Sequence, residues 1–282
     1  MYALIIARFT IQEAISRRLV LAAFVLSTIF VAVYAIGFSF LYSHVNPSPN
    51  QSATVALAMA GTIMTVLGLY AVHFLSSFLA LFLTVAAISS EIDSGTLHAV
   101  LARPIRRADL VLGRWLAYTG LIGLYVVLMA GSILALARWI SGYEAFDAPR
   151  TIGLMALGAV LLLTLSLFGS ALFSTLANGV VAFTLFGLAW LGGIIELAGG
   201  LAENAAMVNL GILISLLVPS DGLWKAASFY AQSPLFLALN SGRAQIPFLS
   251  GDPPAIPFII WGLLYPLVTL LCAIRAFSRR DL

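Results

Sequence analysis

Apolar residues run along this chain in long uninterrupted stretches, separated by short polar or charged breaks and without a ten-residue alternation of apolar and polar positions. A helix needs about 20 largely apolar residues to cross roughly 30 Å of hydrocarbon, whereas a barrel strand reads as alternation over about ten. The pattern therefore predicts an all-α, polytopic membrane protein. Six spans are expected at residues 19–42, 54–89, 110–136, 151–175, 180–197 and 256–274. The first ends in SHVNPSPNQS, whose prolines and polar residues mark an exposed turn. The second is longer than a bilayer requires and is expected to tilt or to extend past the headgroups. Asn178–Gly179 reads as a tight turn between the fourth and fifth spans.

Composition sharpens this. The chain is 62% hydrophobic and 9% charged over 282 residues, too few polar side chains to cover a soluble surface. The reading is thus a single transmembrane domain over 1–282. One cysteine, Cys272, excludes an intramolecular disulfide framework, and three histidines far apart in sequence give no metal-ligand spacing. No metal and no directly bound cofactor are expected. The mildly basic charge would point to nucleic acid in a soluble protein, but here the distribution of basic residues matters more than their sum, and no nucleic-acid partner is expected.

Residues 1–18 form their own unit. Leu4, Ala7, Ile11, Ala14 and Ile15 share one helical face and Arg8, Gln12 and Ser16 another, with Ile5 and Phe9 interrupting the polar side. This predicts an amphipathic helix lying in the headgroup region with its arginines toward water. The plainer alternative is an extension of the first span; a cleaved signal peptide fits less well, because the apolar run after Arg17–Arg18 is too long.

Alternation of the spans puts Arg8, Arg17, Arg18, Arg103, Arg106, Arg107, Arg114, Arg275, Arg279 and Arg280 on one side. Arg138, Arg150, Lys225 and Arg243 fall on the other. Basic residues favour the cytoplasmic side, so both termini are expected there, in the inner or plasma membrane. Residues 199–254 include AAMVNLGILISLLVP, about 14 residues before Pro219 and short for a crossing. They are expected to form an external re-entrant or surface-lying helix pair. A seventh crossing would instead send the basic tail outside.

The densest charge lies at 91–115, EIDSGTLHAVLARPIRRADLVLGRW. Asp93 or Ser94 can cap a short helix carrying Leu97, Val100 and Leu101 on one face; Pro104 ends it, and Asp109 is placed to cap the third span. The ordered run Glu91, Gly95-Thr96-Leu97, Arg103-Pro104-Ile105, Arg107 and Leu112-Gly113-Arg114 resembles the cytoplasmic loop of type-two permeases of ATP-binding-cassette (ABC) transporters. The N-terminal helix, six spans, large segment between the last two spans and the closing Arg280-Asp281-Leu282 agree in layout. Arg114 stands where that family usually has lysine, and His98-Ala99-Val100 replaces a more leucine-rich run.

The resemblance implies that residues 89–109 hold a coupling helix seated in a groove of a separate ATPase subunit, with Glu91, Gly95, Thr96, Leu97, Val100, Leu101, Pro104 and Arg107 forming the docking surface. It implies a homodimer or heterodimer of permeases in membrane lipid, most readily an exporter, with ATP and Mg held by the partner. The residues agree on one point. The phosphate-loop pattern G-x-x-x-x-G-K-[ST] does not occur, and the only lysine is Lys225. A partnerless basic loop is the plain alternative for 91–115.

Elsewhere, His73 near the middle of the second span and Glu196 near the outer end of the fifth are candidates for a transport path, since ionisable groups in hydrocarbon are costly. Packing of a neutral imidazole and snorkelling of Glu196 to water are the plainer readings. Ser166, Ser170 and Ser174 recur every four residues beside Gly169, a spacing that permits close helix approach within the subunit or across a dimer. Catalytic motifs such as G-x-S-x-G and H-E-x-x-H do not occur. The rival classes are an ion-gradient-driven secondary transporter, which should carry internal repeats with broken helices, and a membrane scaffold.

Overall fold

The computed structural model describes residues 2–16, 18–45, 52–90, 106–240 and 249–279. Among them the regular elements are all helical. These are α1 (Tyr2–Ser16), α2 (Arg18–Ser43), α3 (Ala53–Thr84), α4 (Arg107–Ser141), α5 (Ala148–Leu172), α6 (Thr175–Leu201), α7 (Ala205–Leu217), α8 (Ser220–Ala231), α9 (Pro234–Asn240) and α10 (Ile256–Arg279). Six of them, α2 to α6 and α10, are long and apolar enough to cross a membrane.

The interior is built on α3, α4 and α5, which pack against one another, with α5 also touching α6, α8 and α10. Helix α5 is apolar on every side from Leu154 to Leu172, the pattern of a helix surrounded by protein. Its sequence explains its start as well: Asp147 Oδ1 accepts from Arg150 N at 3.0 Å, and Pro149 lies in the first turn. Helix α10 is one-sided. Gly262, Pro266, Leu270, Ala273 and Phe277 face the bundle, while Leu263, Leu264, Leu267, Val268 and Leu271 face outward.

Helix α2 stands at the edge. Hydroxyl bonds hold it at three levels: Ser27 with Tyr125 at 2.7 Å, Tyr34 to the Met64 carbonyl at 3.2 Å, and Tyr42 to the Ser141 carbonyl at 3.4 Å. In hydrocarbon, such bonds and close packing take the place of a hydrophobic drive between helices.

Helices α6 and α7 form a hairpin closed by glycines. A side chain at Gly199 would stand 2.7 Å from the Met207 Cβ, and one at Gly211 would stand 2.7 Å from the Gly192 carbonyl. The turn between them carries Glu203 at φ 51°, and Asn204 Oδ1 caps α7 through the Ala206 and Met207 amides. The chain then bends by 102° into α8. At the end of α8, the Gln232 and Tyr230 carbonyls accept from Phe146 N at 2.8 Å and Asp147 N at 3.0 Å, in the connection between α4 and α5. The α7–α8 pair thus begins and ends at the same end of the bundle, where α4 finishes and α5 starts. At the opposite end, the start of α4 meets the finish of α10 through Arg107.

Several boundaries differ from the sequence expectation. The α5–α6 break falls at Phe173–Ser174, and Asn178 and Gly179 lie inside the first turns of α6. The Asn-Gly turn preference gives way because the Asn178 amide is engaged in tertiary bonds. Helix α4 starts at Arg107 with Arg106 in the capping position and no side-chain cap, so Asp109 sits in the first turn and not at the cap. There its charge still suits the positive end of the helix. Helix α3 ends at Thr84 and is followed by turns over residues 85–88, with helical geometry again at Ser89 and Ser90. In α1 the face against the bundle is Ala7, Thr10 and Ala14, whereas Leu4 and Ile15 are exposed. Small residues allow α1 to lie close along α4, and its larger apolar side chains are left outward.

Candidate functional site

At the end of the bundle shared by α1 and the finish of α10, the sequence motif meets its supports. Glu91, Gly95, Thr96, Leu97, Val100, Leu101 and Pro104 lie outside the described residues. The two segments that hold them are described. On the α3 side, the amides of Ile88 and Ser89 have run past the helix end and need acceptors. Ser170 Oγ of α5 accepts from both, at 2.8 and 3.1 Å. Ser89 Oγ and Thr175 Oγ1 share a hydrogen bond of 2.7 Å, and Asn178 Nδ2 donates to the Val85 carbonyl at 2.8 Å and the Ser166 carbonyl at 3.0 Å. A side chain at Gly169 would occupy the place of the Asn178 amide oxygen.

Of the three serines singled out by spacing, Ser170 thus clamps the segment after α3. Ser166 is buried and lends its carbonyl to Asn178. Ser174 is exposed at the start of α6 and makes no cap hydrogen bond. Asn178 and Ser89, which complete the network, carried no signal beyond a turn dipeptide and a polar residue after an apolar run.

On the α4 side, Arg107 Nη1 donates to the carbonyls of Phe277 and Ser278 at 3.4 and 3.3 Å, capping the carbonyl end of α10 with a cation. Gly113 faces α1 so closely that a Cβ there would stand 2.7 Å from the Ala3 carbonyl oxygen and from Ile6. Only glycine permits this crossing. Arg114 beside it is buried, 6% exposed. Both ends of the 91–105 segment are therefore rooted in three other helices.

The second concentration of polar groups lies toward the far end, between α3, α6 and α8. Lys225 Nζ binds Glu196 Oε2 at 2.6 Å and stands 3.7 Å from Asp221 Oδ2. A cavity of about 200 Å³ opens beside them, walled by Tyr70, Trp190 and Trp224. Trp190 Nε1 donates to Tyr70 Oη at 2.8 Å, and the Tyr70 and Trp224 rings are 5.1 Å apart. His73 packs behind Trp224 with ring centroids 5.4 Å apart, and its Nδ1 has no hydrogen-bond partner among the described residues. The two ionisable candidates, His73 and Glu196, are thus brought to opposite sides of one aromatic wall. Asp221 and Trp224 were not singled out from sequence, and Lys225 only as a topology marker. The available signal was an Asp and the only lysine four residues apart in an otherwise apolar segment.

Among the described residues no three His, Cys, Asp or Glu side chains converge as a metal site would require. No curated protein matches the chain. A family model described as ABC-2 family transporter protein matches residues 4–282, and the chain therefore belongs to the ABC-2 family of transporter membrane proteins.

Proposed function

We propose that this chain is the permease subunit of an ATP-driven exporter, working as one of two permease copies with a pair of separate ATPase subunits that hold ATP and Mg. Both termini and the 91–105 segment face the cytoplasm, where ten of the fourteen basic residues gather under the assigned alternation. The ATPase docks on the surface formed by Glu91, Gly95, Thr96, Leu97, Val100, Leu101, Pro104 and Arg107.

The observation that carries this reading is the rooting of that segment. Its entry is fastened to α5 and α6 through Ser170, Asn178 and Thr175, and its exit to α10 through Arg107. A displacement of the segment by a closing ATPase dimer is then carried into three further helices at once. A two-state rearrangement of packed helices is the physical form such coupling takes.

The test is reconstitution. The chain alone should hydrolyse no ATP above background and should co-purify with a separate ATPase, and the pair in proteoliposomes should move cargo only with nucleotide. Transport on an ion gradient without nucleotide would replace this reading with that of a secondary transporter.

A further inference from the structure

Helices α4, α5 and α10 leave a groove between them that their side chains do not fill. Its volume is about 750 Å³, and its lining includes Gly123 of α4, Gly153, Leu157 and Val160 of α5, and Ile259 and Leu263 of α10. Residues three and four apart share a helix face, so the α5 and α10 stripes run along one channel. A side chain at Gly123 or Gly153 would meet nothing within 4 Å. These two glycines do not bring helices together; they keep the channel open. One turn past Val160, Trp115 Nε1 donates to Thr164 Oγ1 at 2.8 Å and joins α4 to α5.

Depth and position say what the channel meets. From Arg150 to Val160 it follows α5 for about 15 Å, half of a hydrocarbon core of roughly 30 Å. Arg150 is the last charged residue before the chargeless run 151–172, and α10 carries no charge from 256 to 274. The mouth thus lies at headgroup level and the channel is one leaflet deep. A spanning helix of a second copy would need the full thickness, whereas an acyl chain needs this depth.

The mouth supplies what a headgroup needs. Arg150 and Tyr230 stand there, the guanidinium carbon 5.3 Å from the Tyr230 ring centroid. Asp147 Oδ2 lies 3.2 Å from Arg150 Nε, in a contact that leaves the Arg150 side chain 64% exposed. That contact takes one side of the guanidinium, and the two Nη nitrogens donate to no described residue. Such a fork of N–H groups matches a phosphate through two parallel bonds. Basic pockets between transmembrane helices hold phospholipid headgroups, and tyrosine is enriched at that depth.

We propose that this groove binds a glycerophospholipid, with one acyl chain along Gly153 and Leu157 and the phosphate on the Nη side of Arg150. The site makes no use of an ATPase, so it is tested on the chain alone and stands or falls separately from the proposed function.

The probe is dioleoylphosphatidylglycerol, titrated into the delipidated chain in detergent and followed by native mass spectrometry. Dioleoylglycerol, with the same chains and no phosphate, is the comparison. One saturable phosphatidylglycerol adduct is expected, bound at least tenfold more tightly than dioleoylglycerol. Arg150→Ala should abolish that preference, and Arg150→Lys, which keeps the charge, should restore part of it. Gly153→Leu fills the channel although its Cβ meets no neighbour, so it should fold and weaken phosphatidylglycerol at least tenfold. It decides the matter if Arg150→Ala fails to fold. Arg138→Ala, at an exposed arginine paired with Glu144, should leave binding unchanged. Equal binding of the two lipids, or unchanged phosphatidylglycerol binding in both Arg150→Ala and Gly153→Leu, overturns the proposal. Displacement of the adduct by inorganic phosphate also overturns it, by reducing the site to an anion contact. So does loss of a dimer in Gly153→Leu with lipid binding intact, which would give the groove to a second copy.

Discussion

Ser170→Ala removes one hydroxyl oxygen and, with it, the acceptor of two backbone amides. Ile88 N and Ser89 N lie 2.8 and 3.1 Å from Ser170 Oγ, and both residues are buried. Each such bond contributes about 0.5–1.5 kcal/mol net, so losing both weakens this attachment by about 1–3 kcal/mol. Amides that exchange through local opening should then exchange about 5- to 150-fold faster. The effect should be confined to residues 85–90, because Asn178 still holds the Val85 carbonyl and Thr175 still bonds Ser89 Oγ. Hydrogen exchange by mass spectrometry in detergent reads this directly. Ser174→Ala is the matched control, since that exposed serine makes no cap bond. The clamp would be refuted by equal exchange at 85–90 in the two variants, or by a uniform acceleration over α3 and α5 in Ser170→Ala.

Three further outcomes are expected. In a Cys272→Ser background, Ser250→Cys should react with impermeant thiol reagents from outside intact cells and Ser278→Cys should not; labelling at position 278 would reverse or recount the spans. Leu101→Asp should insert normally yet lose the ATPase on pull-down, by burying an unpaired charge worth several kcal/mol, while Arg106→Ala, at an exposed position, should keep it at physiological salt. Equal retention would move the docking surface elsewhere. Gly113→Leu should lift α1 from α4, since even a Cβ there meets the Ala3 carbonyl at 2.7 Å; faster proteolysis within residues 2–16 with retained membrane insertion checks it, and unchanged protection would contradict the packing.

The six long helices were legible because each carries a run of apolar residues that only a membrane or a surrounding bundle accommodates. The limit of the α7 run was legible too, since Pro219 cuts it short of a bilayer's thickness. Helix ends were less so. Asn178–Gly179 has local turn chemistry, but two hydrogen bonds from its amide and the absence of a side chain at Gly169 settle it inside a helix. Such an outcome depends on residues 12 and 93 positions away, which no local pattern contains. Which side of α1 meets the bundle was not legible for a related reason: the close approach to Gly113 selects small residues, so Ala7, Thr10 and Ala14 pack inward, a choice that hydrophobic pattern alone does not rank. The cavity at the far end was half legible. Glu196 and His73 stood out as ionisable groups in apolar surroundings, but the pairing of Glu196 with Lys225, 29 residues on, comes from the bend between α7 and α8.

Lys225 is the only lysine in the sequence, and it sits on the wall of that cavity. Amine-directed reagents therefore have a single side-chain target in the whole chain. Acylation at that one nitrogen would cancel the cation facing Glu196 and Asp221, so a succinimidyl dye becomes both a reporter of access to the cavity and a way to change its charge without mutagenesis. A protease that cuts after lysine has likewise one place to act, and the rate of that single cleavage measures how often α8 leaves its seat.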